Sequence, residues 1–340
     1  MRKSTLLKTL RNVVGFVIAF FLMRYVVNSS GIDVREVLRT VDRRFLVAAF
    51  CCYGVGFFMA AIRWFLLLRH IQVALSLLVV IRLALIGQFF NLFVPGGVGG
   101  DLIKMFYLKR ESGSKFPEAV LTVLLDRILG LMGLLMLALL AIGFNLSILE
   151  DSSRQMQAIL TVVGLAGVAG LLGTLVFIAW PILGRFSKTG EALMGRLPGG
   201  VSMIVTRLIQ AFSLLRSSPG KVLLLLGIAM ANHLCATLGI VCIGMGVGGV
   251  QQVSFQSFLL ATQLSNLVAA IPLTPGGLGG RDLALSFLLG AGGADPVAKG
   301  AVPLVVTSLL IAWSALGGLA LLWEKRVGPG EEGGDKKSSS

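Results

Sequence analysis

Two pairs of charged residues sit inside strongly apolar sequence: Asp126 with Arg127, and Arg281 with Asp282. A charge at membrane depth costs at least ~2.5 kcal/mol, so such groups pair with one another or act on a ligand. Beside them runs a repeated hexapeptide, PGGVGG at Pro95–Gly100 and PGGLGG at Pro275–Gly280, identical at five of six positions across 180 residues. An acid follows each copy, Asp101 and Asp282. Glycine runs break helices, and a helix restarting at them begins with N–H groups that lack intrahelical partners. These carry partial positive charge, and with no side chain in the way they suit a phosphate or a carboxylate. Pro95, Gly96, Gly97, Gly99 and Gly100 are therefore candidate ligand-binding positions, as are Pro275, Gly276, Gly277, Gly279 and Gly280. Arg127 and Arg281 are candidate phosphate partners, while Asp101, Asp126 and Asp282 either pair with them or meet a cationic head group. A structural reading stands beside each of these. The glycines can serve tight packing, the acids can cap helices, and Asp126 and Arg127 can snorkel to an interface. Asn91 and Gln88 are placed to satisfy broken backbone. Lys104, Arg63 and Arg82 read as interfacial, and Asn232 with His233 as structural.

Composition says what must position these groups. The 340 residues are 56% hydrophobic and only 14% charged, and mean hydropathy is +0.89. Ordinary soluble domains are about 25% charged. Apolar stretches of some twenty residues recur from end to end, which indicates a polytopic α-helical membrane protein. The short alternating segments of a membrane β-barrel are not evident. The net charge of +14 does not imply nucleic acid, because Lys and Arg cluster in loops between apolar spans. Cys51, Cys52, Cys235 and Cys242 lie in apolar spans without CxxC or ligand spacing, so no metal site, cofactor or catalytic residue is expected. The basic start and the apolar run Val13–Met23 read as an uncleaved first helix.

Full spans are expected at about 9–27, 45–68, 118–144, 157–180, 222–246 and 298–323. The stretch 181–221 carries Arg185, Lys188, Arg196, Arg207, Arg216 and Lys221 against Glu191 alone, which makes it cytoplasmic. Within it Val201, Ile204, Val205, Leu208, Phe212 and Leu215 recur at helical spacing; they form an amphipathic helix on anionic lipid or one packed on the bundle. Basic residues flank 71–110 on both sides, so that segment must enter the bilayer and return. Gly96–Leu108 reaches only about 20 Å as a helix, too short to cross. The second copy must then enter from outside. From the preceding span to the hexapeptide is 50 residues in one copy and 53 in the other; the following span ends 49 and 48 residues after the proline. The expected fold is all-α: about six spans plus two opposed re-entrant hairpins in an inverted repeat, 45–144 and 222–323. Residues 1–327 form one transmembrane domain and 328–340 a disordered tail.

At these residues the chain resembles the lysylphosphatidylglycerol synthase transmembrane-region family, also called flippase-like or uncharacterised membrane protein family 0104. The resemblance covers almost the whole chain. It rests on Arg63-Trp64, on Asn91, Pro95, Gly99, Gly100, Asp101 and Lys104, and on Asp126-Arg127. It continues with Thr274-Pro275-Gly276-Gly277-Leu278-Gly279 and Arg281-Asp282. The family often has Glu at Asp126 and Asp282 and Arg at Lys104, changes that keep charge but alter reach. The resemblance implies translocation of a lipid, adds Asn91 and Lys104 to the ligand set, and leaves the lipid open between phospholipid and polyprenyl-phosphate types. Relatives fuse this module to an aminoacyl-transferase; here 17 residues follow the last span, so a separate lipid synthase is the implied partner. The expected protein is a non-enzymatic lipid flippase of the bacterial inner membrane with both termini cytoplasmic. A lipid-linked transferase and a non-transporting accessory subunit are the competing readings.

Overall fold

The computed structural model describes residues 39–94, 97–112, 115–145, 154–183, 218–271 and 274–326, with Val17, Phe21, Arg24, Asn28, Val37 and Leu215 as single positions. Nine helices lie within these residues: α1 Arg43–His70, α2 Leu77–Asn91, α3 Gly99–Glu111, α4 Phe116–Phe144, α5 Arg154–Leu183, α6 Pro219–Val247, α7 Phe255–Ala270, α8 Gly280–Ala291 and α9 Pro296–Arg326. Four are long and apolar enough to cross a membrane, α1, α4, α6 and α9 up to Leu322. They match the spans expected at 45–68, 118–144, 222–246 and 298–323. The span expected at 157–180 falls in α5. The first span, most of the basic stretch 181–221 with its amphipathic helix, and the tail 328–340 lie outside the described residues.

The short helices come in pairs. α2 and α3 have 15 and 13 residues, α7 and α8 have 16 and 12. At ~1.5 Å per residue these reach about 18–24 Å, less than the ~30 Å of a hydrocarbon core. Each pair is an antiparallel hairpin: Phe90 meets Gly99 and Gly87 meets Gly100 in the first, Ala269 meets Gly277 and Ser257 meets Gly292 in the second. The order long, short, short, long therefore occurs twice, as α1–α4 and as α6–α9.

The two copies run in opposite directions. α1 and α6 occupy corresponding places and pack antiparallel, with Phe45 against Gly246, Tyr53 against Gly239 and His70 against Lys221. Each hairpin's first helix packs on the last long helix of the other copy. Leu85 of α2 touches Gly317 of α9, and Gln256 of α7 accepts from Asn145, the residue that ends α4. One end of the bundle gathers His70, Lys115 and Lys221, with Lys115 Nζ donating to the Gln72 carbonyl at 3.2 Å. The first hairpin opens from that end, where Leu68, Val73, Leu75, Leu108 and Ala119 share a core. The opposite end is tied by Asp42 N–H to the Gly246 carbonyl and by Asp295 N–H to that of Gly249, and the second hairpin opens there. The two hairpins thus open at opposite ends of the bundle. Their tips meet inside: a Cβ on Gly276 would stand 3.4 Å from the Asn91 carbonyl oxygen and 3.6 Å from Leu92 Cα.

Local chemistry sets the ends. Asp42, Ser76 and Ser254 accept N–H groups of the first turns of α1, α2 and α7, each such cap stabilising by ~1 kcal/mol. Large apolar side chains such as Leu131, Leu140, Phe144, Leu223 and Leu319 stay exposed on the long helices, as a surface facing hydrocarbon requires.

Candidate functional site

The first tip begins where α2 stops at Asn91. Gly97 turns the chain with φ +62, and α3 restarts at Gly99 with no side-chain cap from its own N-terminal flank. Asn91 supplies the cap from across the hairpin, its Oδ1 accepting from Gly100 N–H at 2.7 Å. A Cβ on Gly99 would overlap the Phe90 carbonyl, and one on Gly100 would come within 2.7 Å of the Gly87 carbonyl oxygen. Both glycines therefore hold the two helices together. Pro95 and Gly96 lie outside the described residues.

Five charged side chains from three helices converge behind this tip. Arg63 Nε of α1 donates to Asp126 Oδ1 of α4 at 2.7 Å, with side chains 5% and 12% exposed. Lys104 of α3 has its Nζ 4.0 Å from Asp126 Oδ2 and 4.5 Å from the centroid of the Trp64 ring. Trp64 is itself fixed by its indole N–H donating to Thr122 Oγ1 at 3.2 Å. Arg127 reaches back to the tip, where Nε meets Asp101 Oδ2 and one terminal nitrogen donates to the Gly97 carbonyl, both at 2.6 Å. A cavity of about 100 Å³ opens beside this group, lined by Phe57, Ala60, Gln88, Asn91, Asp101 and Lys104 among others. Small-molecule pockets usually begin near ~300 Å³. This one has room for part of a ligand, such as a head group. Arg63, which in sequence reads as interfacial, is buried, because the fold brings Asp126 of α4 to its side.

The second tip holds the same kinds of residue in a sealed arrangement. Gly276, Gly277 and Gly279 all have positive φ, and Gly277 lies so close to Ala269 that a Cβ would stand 2.7 Å from its Cα. Asp282 is fully buried; its Oδ2 accepts from Gly279 N–H at 2.8 Å, capping α8. Its Oδ1 accepts from Arg281 at 2.9 Å and from the Thr307 hydroxyl at 2.8 Å. Arg281 also donates to Thr307 Oγ1 and is 5% exposed. Arg281 and Asp282 are thus each other's partners, as the structural reading of the pair has it.

Of the sequence candidates, Asn91, Gly97, Gly100, Asp101, Lys104, Asp126 and Arg127 form one charged group with a cavity. Gly276 abuts it, while Gly277, Gly279, Gly280, Arg281 and Asp282 form the closed second tip behind Pro275. Sequence reasoning passed over Thr307, Trp64 as a platform for Lys104, and Gln88 and Phe57 as cavity lining. A register count would have found Thr307: it is the twelfth residue of α9, as Arg127 is of α4.

A bundle of apolar helices with two hairpins of short helices and a charged cavity beside the first tip defines a multi-pass membrane protein. The chain belongs to the family of the lysylphosphatidylglycerol synthase TM region, whose model matches residues 12–322. It is similar to UPF0104 membrane protein PH1989 of Pyrococcus horikoshii, 24% identical over 94% of this chain and 98% of that one. It is also similar to Glycosyltransferase AglD of Haloferax volcanii, 24% identical over 81% of this chain and 47% of that protein, so about half of AglD has no counterpart here. No solved structure matches the chain.

Proposed function

We propose that this protein translocates a phosphate-bearing lipid across the cytoplasmic membrane without altering it chemically. One observation carries the reading: two hairpins of half-length helices open at opposite ends of the bundle with their tips in contact, and beside the first tip lies a cavity bearing Lys104, Asp101 and the start of α3. Broken backbone at membrane depth is tolerated where it is buried or lines a cavity, and midplane sites between inverted repeats are typical of transporters. On this reading both hairpins are re-entrant and α5 and the first apolar run complete six spans. The end bearing His70, Lys115 and Lys221 is cytoplasmic, as are both termini. The ligand is a phospholipid or a polyprenyl-phosphate-type lipid, made by a separate synthase, and 181–221 rests on the anionic leaflet.

The relative named a glycosyltransferase favours a second reading, a lipid-linked transferase. Proteoliposomes separate the two. Reconstituted protein should move a tail-labelled fluorescent phospholipid between leaflets, with lipids extracted afterwards unchanged in mass. No movement of either this lipid or a labelled polyprenyl phosphate above empty vesicles would refute translocation, and a new lipid mass dependent on the protein would establish the transferase.

A further inference from the structure

The charges at the first tip do not cancel, and the surplus specifies the head group. Among the described residues, three cations, Arg63, Lys104 and Arg127, face two carboxylates, Asp101 and Asp126. The carboxylates are committed at short range, Asp126 to Arg63 at 2.7 Å and Asp101 to Arg127 at 2.6 Å. Lys104 is left with a 4.0 Å approach to an oxygen of an already paired acid and with the face of Trp64. Lys104, Gln88 and Asn91 all line the cavity, and Asn91 Oδ1 accepts from Gly100 N–H. A ligand there meets the Lys104 charge, which has no short-range partner, the Asp101 carboxylate already held by Arg127, the start of α3 and neutral amides.

We infer that the site selects an amine-free phosphodiester lipid, one with a single net negative charge and a head group ending in hydroxyls. This rests on the translocation reading above and narrows its substrate. A phosphodiester brings one charge for the one ammonium, and the amides pair with hydroxyl groups. A phosphomonoester brings up to a second negative charge with no cation left for it. An amine, as in phosphatidylethanolamine or an aminoacylated lipid, needs a free carboxylate, and both are taken; a like charge beside Lys104 is repelled in a site of low dielectric. Phosphatidylglycerol and a polyprenyl-phosphoryl sugar share the favoured chemistry.

The test is competition binding to the purified full-length protein, read by native mass spectrometry from micelles holding equal amounts of five lipids. These are phosphatidylglycerol, a polyprenyl-phosphoryl hexose, phosphatidic acid, phosphatidylethanolamine and lysyl-phosphatidylglycerol. One or both of the first two should exceed the other three by about tenfold, a difference of ~1.4 kcal/mol, and which of them leads identifies the source. Lys104→Gln should erase that preference. Asp101→Asn frees the charge of Arg127, so it should shift preference towards phosphatidic acid. Parent protein that prefers an amine-bearing or phosphomonoester lipid overturns the charge inference and leaves translocation standing. Retention of no lipid above a Lys104→Gln background overturns the translocation site itself. An unchanged ranking in Asp101→Asn shows that the surplus charge does not select.

Discussion

At the first tip Asp101, third residue of α3, is held by Arg127, twelfth residue of α4; at the second, Asp282, third residue of α8, is held by Thr307, twelfth of α9, and by Arg281 beside it. The plan is the same, an acid at the start of the returning half-helix tethered to the next long helix. The difference lies in where the positive charge comes from. The second tip draws it from the neighbouring residue, so the pair closes on itself, with Asp282 fully buried and Arg281 5% exposed. The first draws it from another helix, leaving the Arg127 side chain 43% exposed and placing Lys104 beside a cavity. The same plan therefore gives one tip whose charges close on each other and one whose Lys104 stands beside a cavity.

Breaking the sealed tip should have the largest effect. Asp282→Ala strands the buried Arg281 guanidinium and should cost ~3–5 kcal/mol of stability, seen as a large fall in the melting temperature of the detergent-solubilised protein. Asp101→Ala, whose pair with Arg127 is partly exposed, should cost less than about 1 kcal/mol. Equal losses at the two sites would erase the contrast between sealed and open tips. Gly99→Leu comes next: its side chain would run into the Phe90 backbone, costing ~1–3 kcal/mol and abolishing transport. Gly97→Ala points into open space and should cost only the ~1 kcal/mol of left-handed backbone, with transport largely kept. Transport by Gly99→Leu at the parent rate would remove the tip from the mechanism. Smaller again is Asn91→Ala, which deletes the cap of α3 and should cost ~1 kcal/mol, read as faster hydrogen exchange at Gly100 and Asp101 than at Arg281 and Asp282. A cysteine at exposed Glu118 should be labelled from the cytoplasm and one at exposed Gln251 from outside, without loss of stability. Labelling of both from one side would undo the opposed entry of the hairpins.

The long helices were legible because each is a run of apolar residues longer than a bilayer is thick, and nothing else in the chain competes for that pattern. The hairpins were legible too, because PGGVGG and PGGLGG cannot continue a helix and the flanking spans recur at matched distances. Arg63 was not. An arginine near the end of an apolar span looks interfacial in sequence, and only the fold brings Asp126 to its side 63 residues later. Arg127 and Arg281 looked alike as phosphate ligands for the same reason. Both follow or precede an aspartate in apolar surroundings, and local sequence does not say whether the partner is that neighbour or a distant acid.

Hydrophobic runs and glycine breaks act over a few turns of chain, so the sequence alone determined that this is an all-helical membrane protein. Which charge meets which depends on distances between helices far apart in sequence, because short charge-assisted contacts form only where the fold brings the two groups within about 3 Å. Only the tertiary structure could decide that Asp282 closes the second tip on Arg281 and Thr307 while Lys104 stands beside an open cavity at the first.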